Sequence, residues 1–140
     1  MILSQTGCSI EMLVGLLPQL SKAELLYRAS RDGWRAANFH SFCDNKGPTV
    51  TLIQVNNYVF GGYTPANWDS SGNNKPQDTS AFLFSLSNPT KQTLATKIPN
   101  TGPHVSCTTY CASAYGPTFG GGHDLYIADN AASNTTSYTN

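Results

Sequence analysis

The sequence predicts one domain of the α+β class, mainly antiparallel β with short helices. Three observations predict it. Two glycine-aromatic strand signals, Tyr58-Val59-Phe60-Gly61-Gly62-Tyr63 and Phe119-Gly120-Gly121-Gly122-His123-Asp124-Leu125-Tyr126-Ile127, stand in opposite halves of the chain. Glycine inside a strand marks a bulge, a bend or a close backbone approach, so the pair implies a curved sheet packed around large side chains. Thr49-Val50-Thr51-Leu52-Ile53-Gln54-Val55 is β-branched almost throughout, and Asn56-Asn57 joins it to Tyr58 as a tight primed hairpin. Helical spacing of apolar residues is confined to short runs before Asp44.

Taken in order, Ser9 is the N-cap of a helix to Leu17, with Ile10, Leu13, Val14 and Leu17 on one face and Pro18 as its stop. From Ser21 to Ser30 two readings stay open. Ser21-Lys22-Ala23-Glu24 reads as a capping box, and Leu25-Leu26-Tyr27 as the start of a buried strand. Asp32-Gly33 is a turn. Trp34 to Phe42 suits a short helix with Trp34, Ala37 and Phe42 toward one side, and Asp44-Asn45-Lys46-Gly47-Pro48 breaks the chain. Thr64 to Thr79 is a long polar surface loop around Trp68. Ser80 to Leu86 is a strand ended by Asn88-Pro89, and Gln92 to Ile98 is a weaker one closed by Pro99. Cys107 to Tyr115 is strand or irregular, Leu125 to Ala128 is a further strand, and the tail from Asn130 is small and polar.

At 140 residues the chain is one domain. It can bury about two-thirds of its unfolded surface, so it needs neither metal nor disulfides to fold. Only 11% of residues are charged, against about 25% in ordinary soluble domains. Asn, Ser and Thr cover the surface instead. Eight basic and eight acidic residues give a formal charge of zero, which excludes a large electrostatic footprint for nucleic acid or anionic membrane. No apolar run approaches the length of a transmembrane segment, and the N-terminus carries no basic region followed by an apolar stretch. A cytoplasmic protein is the default. Cys8, Cys43, Cys107 and Cys111 permit two disulfides, but reduced, intracellular thiols are expected.

Candidate chemistry is sparse. Cys107 and Cys111, with His104 and His123, have spacing compatible with a metal site, yet no second Cys or His pair stands at ligand spacing. On a strand, Cys107 and Cys111 share a face and form a structural or redox-sensitive pair. His40 and Cys43 are neighbours on a helix and raise a thiolate mechanism, although a cysteine on an apolar helix face is usually a small core residue. Gly120, Gly121 and Gly122 lead into a strand and lack the lysine of a phosphate loop, so they are no nucleotide cradle. Trp68 in its polar loop is a candidate binding anchor, and His123 a candidate contact. No catalytic residue, cofactor or metal is assigned.

Several segments in shared order resemble the TLDc domain of the oxidation-resistance family. They run from Leu16-Leu17-Pro18 through Leu25-Leu26-Tyr27-Arg28-Ala29-Ser30-Arg31-Asp32-Gly33, Phe39 to Cys43 and Gly47-Pro48-Thr49. They continue in Val59 to Tyr63 and Ala81 to Leu86, and close on Phe119 to Ile127. The resemblance implies a two-sheet antiparallel β-sandwich flanked by short helices, with Leu25 to Ser30 as a strand. It also implies a non-enzymatic interaction module linked to oxidative-stress protection, with the V-type ATPase as a partner. The structural glycines would be Gly61, Gly62, Gly120, Gly121 and Gly122. The alternative is a cysteine-based redox or peroxide-scavenging protein using Cys107 and Cys111. TLDc domains usually continue past the position of Asn140, so a C-terminally incomplete domain is expected, and the polar loop from Asn67 to Asp78 departs from the family pattern.

Overall fold

The computed structural model describes residues 8–17, 20–75, 79–90, 95–101 and 105–140. Helix α1, Ile10–Val14, starts at Ser9, whose hydroxyl accepts the Met12 amide at 3.3 Å. It is shorter than its sequence pattern because Gly15 caps it and the chain tightens, with Leu16 N–H bonded to Leu13 and Leu17 N–H to Val14. Its packed face is also turned from the expected one. Leu13 is buried, Met12, Leu16 and Leu17 pack beside it, and Ile10 and Val14 face outward.

Residues 21–28 form no ladder, and helix α2, Ala29–Asp32, follows them. The strand expected at Leu25 to Ser30 is therefore absent. The Arg28 amide, which a ladder would use, instead donates to the Asp32 carboxylate at 2.8 Å, and this local bond winds the segment into a turn. The capping box at Ser21 starts no helix either. Leu26 and Tyr27 nevertheless pack against the core. Helix α3, Ala36–Cys43, buries Ala36, Phe39, His40 and Cys43, one face at i, i+3, i+4 and i+7. Trp34, Ala37 and Phe42, expected toward one side, all face outward.

Strands β1, Thr49–Val55, and β2, Tyr58–Thr64, form the predicted hairpin, turning at Asn56 with φ 52°. Strands β4, Phe82–Ser87, and β5, Thr96–Pro99, complete a four-stranded antiparallel sheet in the order β1-β2-β4-β5. Strand β3, Asn73–Asn74, pairs with β6, Tyr110–Cys111. A third sheet joins β7, Thr118–Phe119, β8, Leu125–Tyr126, and β9, Tyr138–Thr139.

Alternation along the strands builds two cores, one on each face of the large sheet. Val59, Phe82, Phe84 and Leu86 pack with α1 and Cys8 on one face. Phe60, Ile53 and Leu83 face the other, where they meet Phe39, Cys43, Trp68, Cys111, Phe119 and Leu125. The small sheets thus form a second β layer over the large one, with α3 beside it. Burial of each such aromatic side chain contributes about 2–3 kcal/mol.

Candidate functional site

The two glycine-aromatic segments meet in space. On β2, a Cβ at Gly62 would lie 2.6 Å from the Phe119 ring, and one at Gly61 would lie 1.8 Å from the Thr51 carbonyl oxygen. The glycines thus leave a notch in the large sheet where Phe119 of the second layer seats. Phe119 in turn stands edge-on to Trp68 at 5.5 Å, Trp68 to Phe39 at 5.3 Å, and Phe39 to Tyr27 at 5.8 Å. Edge-to-face rings of this kind add packing energy beyond buried area.

This chain of rings relocates Trp68. The sequence places it on an exposed loop, but only 1% of it is accessible, and its indole N–H donates to Thr49 Oγ1 at 2.8 Å. The loop folds inward because Asn45 N–H binds the Trp68 carbonyl at 2.9 Å and Asp44 bridges to the same residue. Lys75 pairs with Asp69, which holds that carboxyl down at about 2. Trp68 is therefore a core residue.

Cys107 and Cys111 do not share a strand face. Strand β6 begins at Tyr110, and residues 108 and 109 are held by Lys75 and by Gly120 and Phe119 instead. Cys111 is buried and burial pushes its thiol up, whereas Cys107 is half-buried outside any strand. His104 lies outside the described residues. All four cysteines are free thiols.

His40, a candidate base for Cys43 in the sequence, is a structural clamp. Its Nδ1 lies 2.7 Å from Asp44 Oδ1, and its Nε2–H donates to the Ala112 and Tyr115 carbonyls at 3.0 Å each. Ser70 Oγ–H donates to the other Asp44 oxygen at 2.9 Å. One side chain on α3 thereby ties the loop of Trp68 to the turn before β7. Both ring nitrogens are engaged, and the Cys43 thiol is pushed up to about 12 by burial and then by Asp44. The pair is not set up to make a thiolate.

His123 is half-buried in the glycine turn. Gly120, at φ 87°, opens a turn closed by His123 N–H on the Gly120 carbonyl. A Cβ on Gly120 would strike the Asp124 carboxylate, whereas one on Gly122 would meet nothing within 4 Å. The turn sets His123 at φ 59° with its ring stacked on Tyr110 at 5.3 Å and on Tyr126 at 5.9 Å. Tyr115 stands edge-on to His123 at 5.7 Å and to Tyr126 at 4.9 Å. Tyr138 adjoins Tyr126 across the β8–β9 pair and is 43% accessible. Leu125 points into the core while Tyr126 does not, so the alternation of β8 turns this cluster outward. Burial, followed by Tyr115 and Tyr138, pushes the Tyr126 hydroxyl up. Of this cluster the sequence reading named only His123. The alternating Tyr126 was the available signal; the convergence of Tyr110, Tyr115 and Tyr138 depends on loops that carry no periodicity.

Among the described residues no helix is long and apolar enough to cross a membrane. No curated protein and no solved structure matches the chain. The family model described as the TLDc domain matches residues 4–140. The chain belongs to the TLDc domain family.

Proposed function

We propose that this TLDc domain is a non-enzymatic protein-interaction module that serves oxidative-stress protection by binding the V-type ATPase. The observation that carries the reading is the outward cluster of Tyr110, Tyr115, His123, Tyr126 and Tyr138, a set of rings held by the glycine turn but only partly covered by the domain. Tyrosine brings large contact area and a hydroxyl at little entropic cost, which is why it is enriched at interfaces. The cysteine-based alternative is less well supported. Burial raises the Cys43 and Cys111 thiols away from the thiolate form that peroxide chemistry needs.

Purified protein is expected to co-sediment with membranes carrying the V-type ATPase and not with membranes stripped of the pump. Equal recovery in both pellets, or no enrichment over a control protein of similar size, rejects the pump as partner. Peroxide consumption abolished by replacing all four cysteines with Ser would restore the redox alternative.

A further inference from the structure

The charges of the chain are unevenly spread. All eight Lys and Arg lie between Lys22 and Lys97, whereas residues 98–140 contain none and carry Asp124 and Asp129. Both aspartates are exposed: Asp124 directly follows His123 with its carboxylate over Gly120, and Asp129, which accepts the Ala36 amide at 2.8 Å, raises the Tyr126 hydroxyl through space. Of the cations near this end, Lys75 is paired with Asp69, and Arg35 lies beside Asp129, next to the Ala36 amide that Asp129 accepts. The tyrosine cluster is therefore a surface of π faces flanked by carboxylates, built from a stretch of chain that supplies no cation.

We propose that the face formed by Tyr110, Tyr115, His123, Tyr126 and Tyr138, with Asp124, docks an arginine-bearing segment of a protein partner. The proposal rests on the interaction-module reading and specifies the chemistry of the segment that module recognises. A guanidinium stacks flat on aromatic rings and forks toward a carboxylate, so one arginine uses both features of the surface at once. Lysine gains the charge attraction without the stacking or the fork. An apolar segment would cover the tyrosine hydroxyls without bonding them. A single-stranded nucleic acid would stack on the rings but bring its phosphates against Asp124 and Asp129.

The test titrates the whole protein into a fluorescein-labelled arginine–glycine heptapeptide and follows anisotropy. Lysine–glycine and glutamate–glycine peptides and oligothymidine serve as comparisons. Saturable binding is expected in the order arginine, lysine, then glutamate, weakening as salt is added. The exposed position of Tyr138 lets Tyr138→Ala keep the fold, and it is expected to weaken arginine-peptide binding about threefold, as loss of one exposed cation–π contact does. Tyr138→Phe keeps the π face and binds like the parent. Asp124→Asn is expected to cost about twofold to threefold, in line with one exposed ion pair. Absence of saturable binding, equal binding of the glutamate peptide or oligothymidine, or parental affinity in both Tyr138→Ala and Asp124→Asn overturns the proposal. Co-sedimentation with pump membranes that is unchanged in the double variant overturns this surface and leaves the module reading standing. Arginine-peptide binding that falls in the double variant, alongside a parent that ignores pump membranes, supports the surface and removes the pump.

Discussion

Gly62 lacks a side chain where the Phe119 ring sits, and this vacancy is a packing requirement (no special backbone angle is needed there). Gly62→Val forces the ring out of its notch and disturbs its contacts to Trp68. The expected loss is about 1–3 kcal/mol, the usual cost of overpacking, read as a lower urea midpoint at unchanged slope. Gly122→Ala, where an added Cβ meets nothing, should stay within about 0.5 kcal/mol. Equal shifts at the two positions would show that the notch has no packing role. Glycines were legible as special in the sequence, but not which of them were packed and which were open. Trp68 was misplaced for a related reason. Its neighbours are polar, and nothing in their order announces that Asp44 and Asn45 pull the loop inward.

Among the elements, the long strands of the large sheet were legible, and the helix faces and the two-residue strands β3 and β9 were not. Residues Thr49 to Val55 and Phe82 to Leu86 carry apolar side chains on both sides, Val50, Leu52, Phe82 and Phe84 on one and Ile53 and Leu83 on the other, because both faces of the large sheet are covered. Helix α3 misled because Trp34, Ala37 and Phe42 supply apolar bulk on one side, whereas the buried face includes the polar His40. The helix buries His40 and satisfies both its nitrogens. His40→Ala removes the donor to two backbone carbonyls and leaves the Asp44 carboxylate without its ring partner. We expect a destabilisation of about 2–4 kcal/mol, since it combines lost packing with stranded polar groups. Hydrogen exchange should quicken across residues 112–116 before it quickens in the β1–β2 hairpin. A uniform change across the domain would mean that His40 is not a local clamp. The strand expected at Leu25 failed because a side-chain bond within four residues, Arg28 to Asp32, outcompeted a ladder with no partner strand.

At the scale of the whole molecule, the two cores decide which thiols meet solvent. Cys8 belongs to one core, Cys43 and Cys111 to the other, and Cys107 to neither. Alkylation of the native protein at pH 8, followed by mass spectrometry, should label Cys107 first. Cys43, with its thiol at about 12, should be labelled only on unfolding. Native labelling of Cys43 at the rate of Cys107 would contradict the packing described. The sequence could not show this partition, since cysteine identity says nothing of which sheet face it meets. The two cores also differ in when they can exist. Among the described residues the first draws on side chains up to Ala95, whereas the second needs Cys111, Phe119 and Leu125 as well as Leu26 and Phe39. During synthesis one face of the large sheet can therefore close on its helix while the other waits, with Gly62 an empty socket and Trp68 missing a neighbour, until the Phe119 segment emerges.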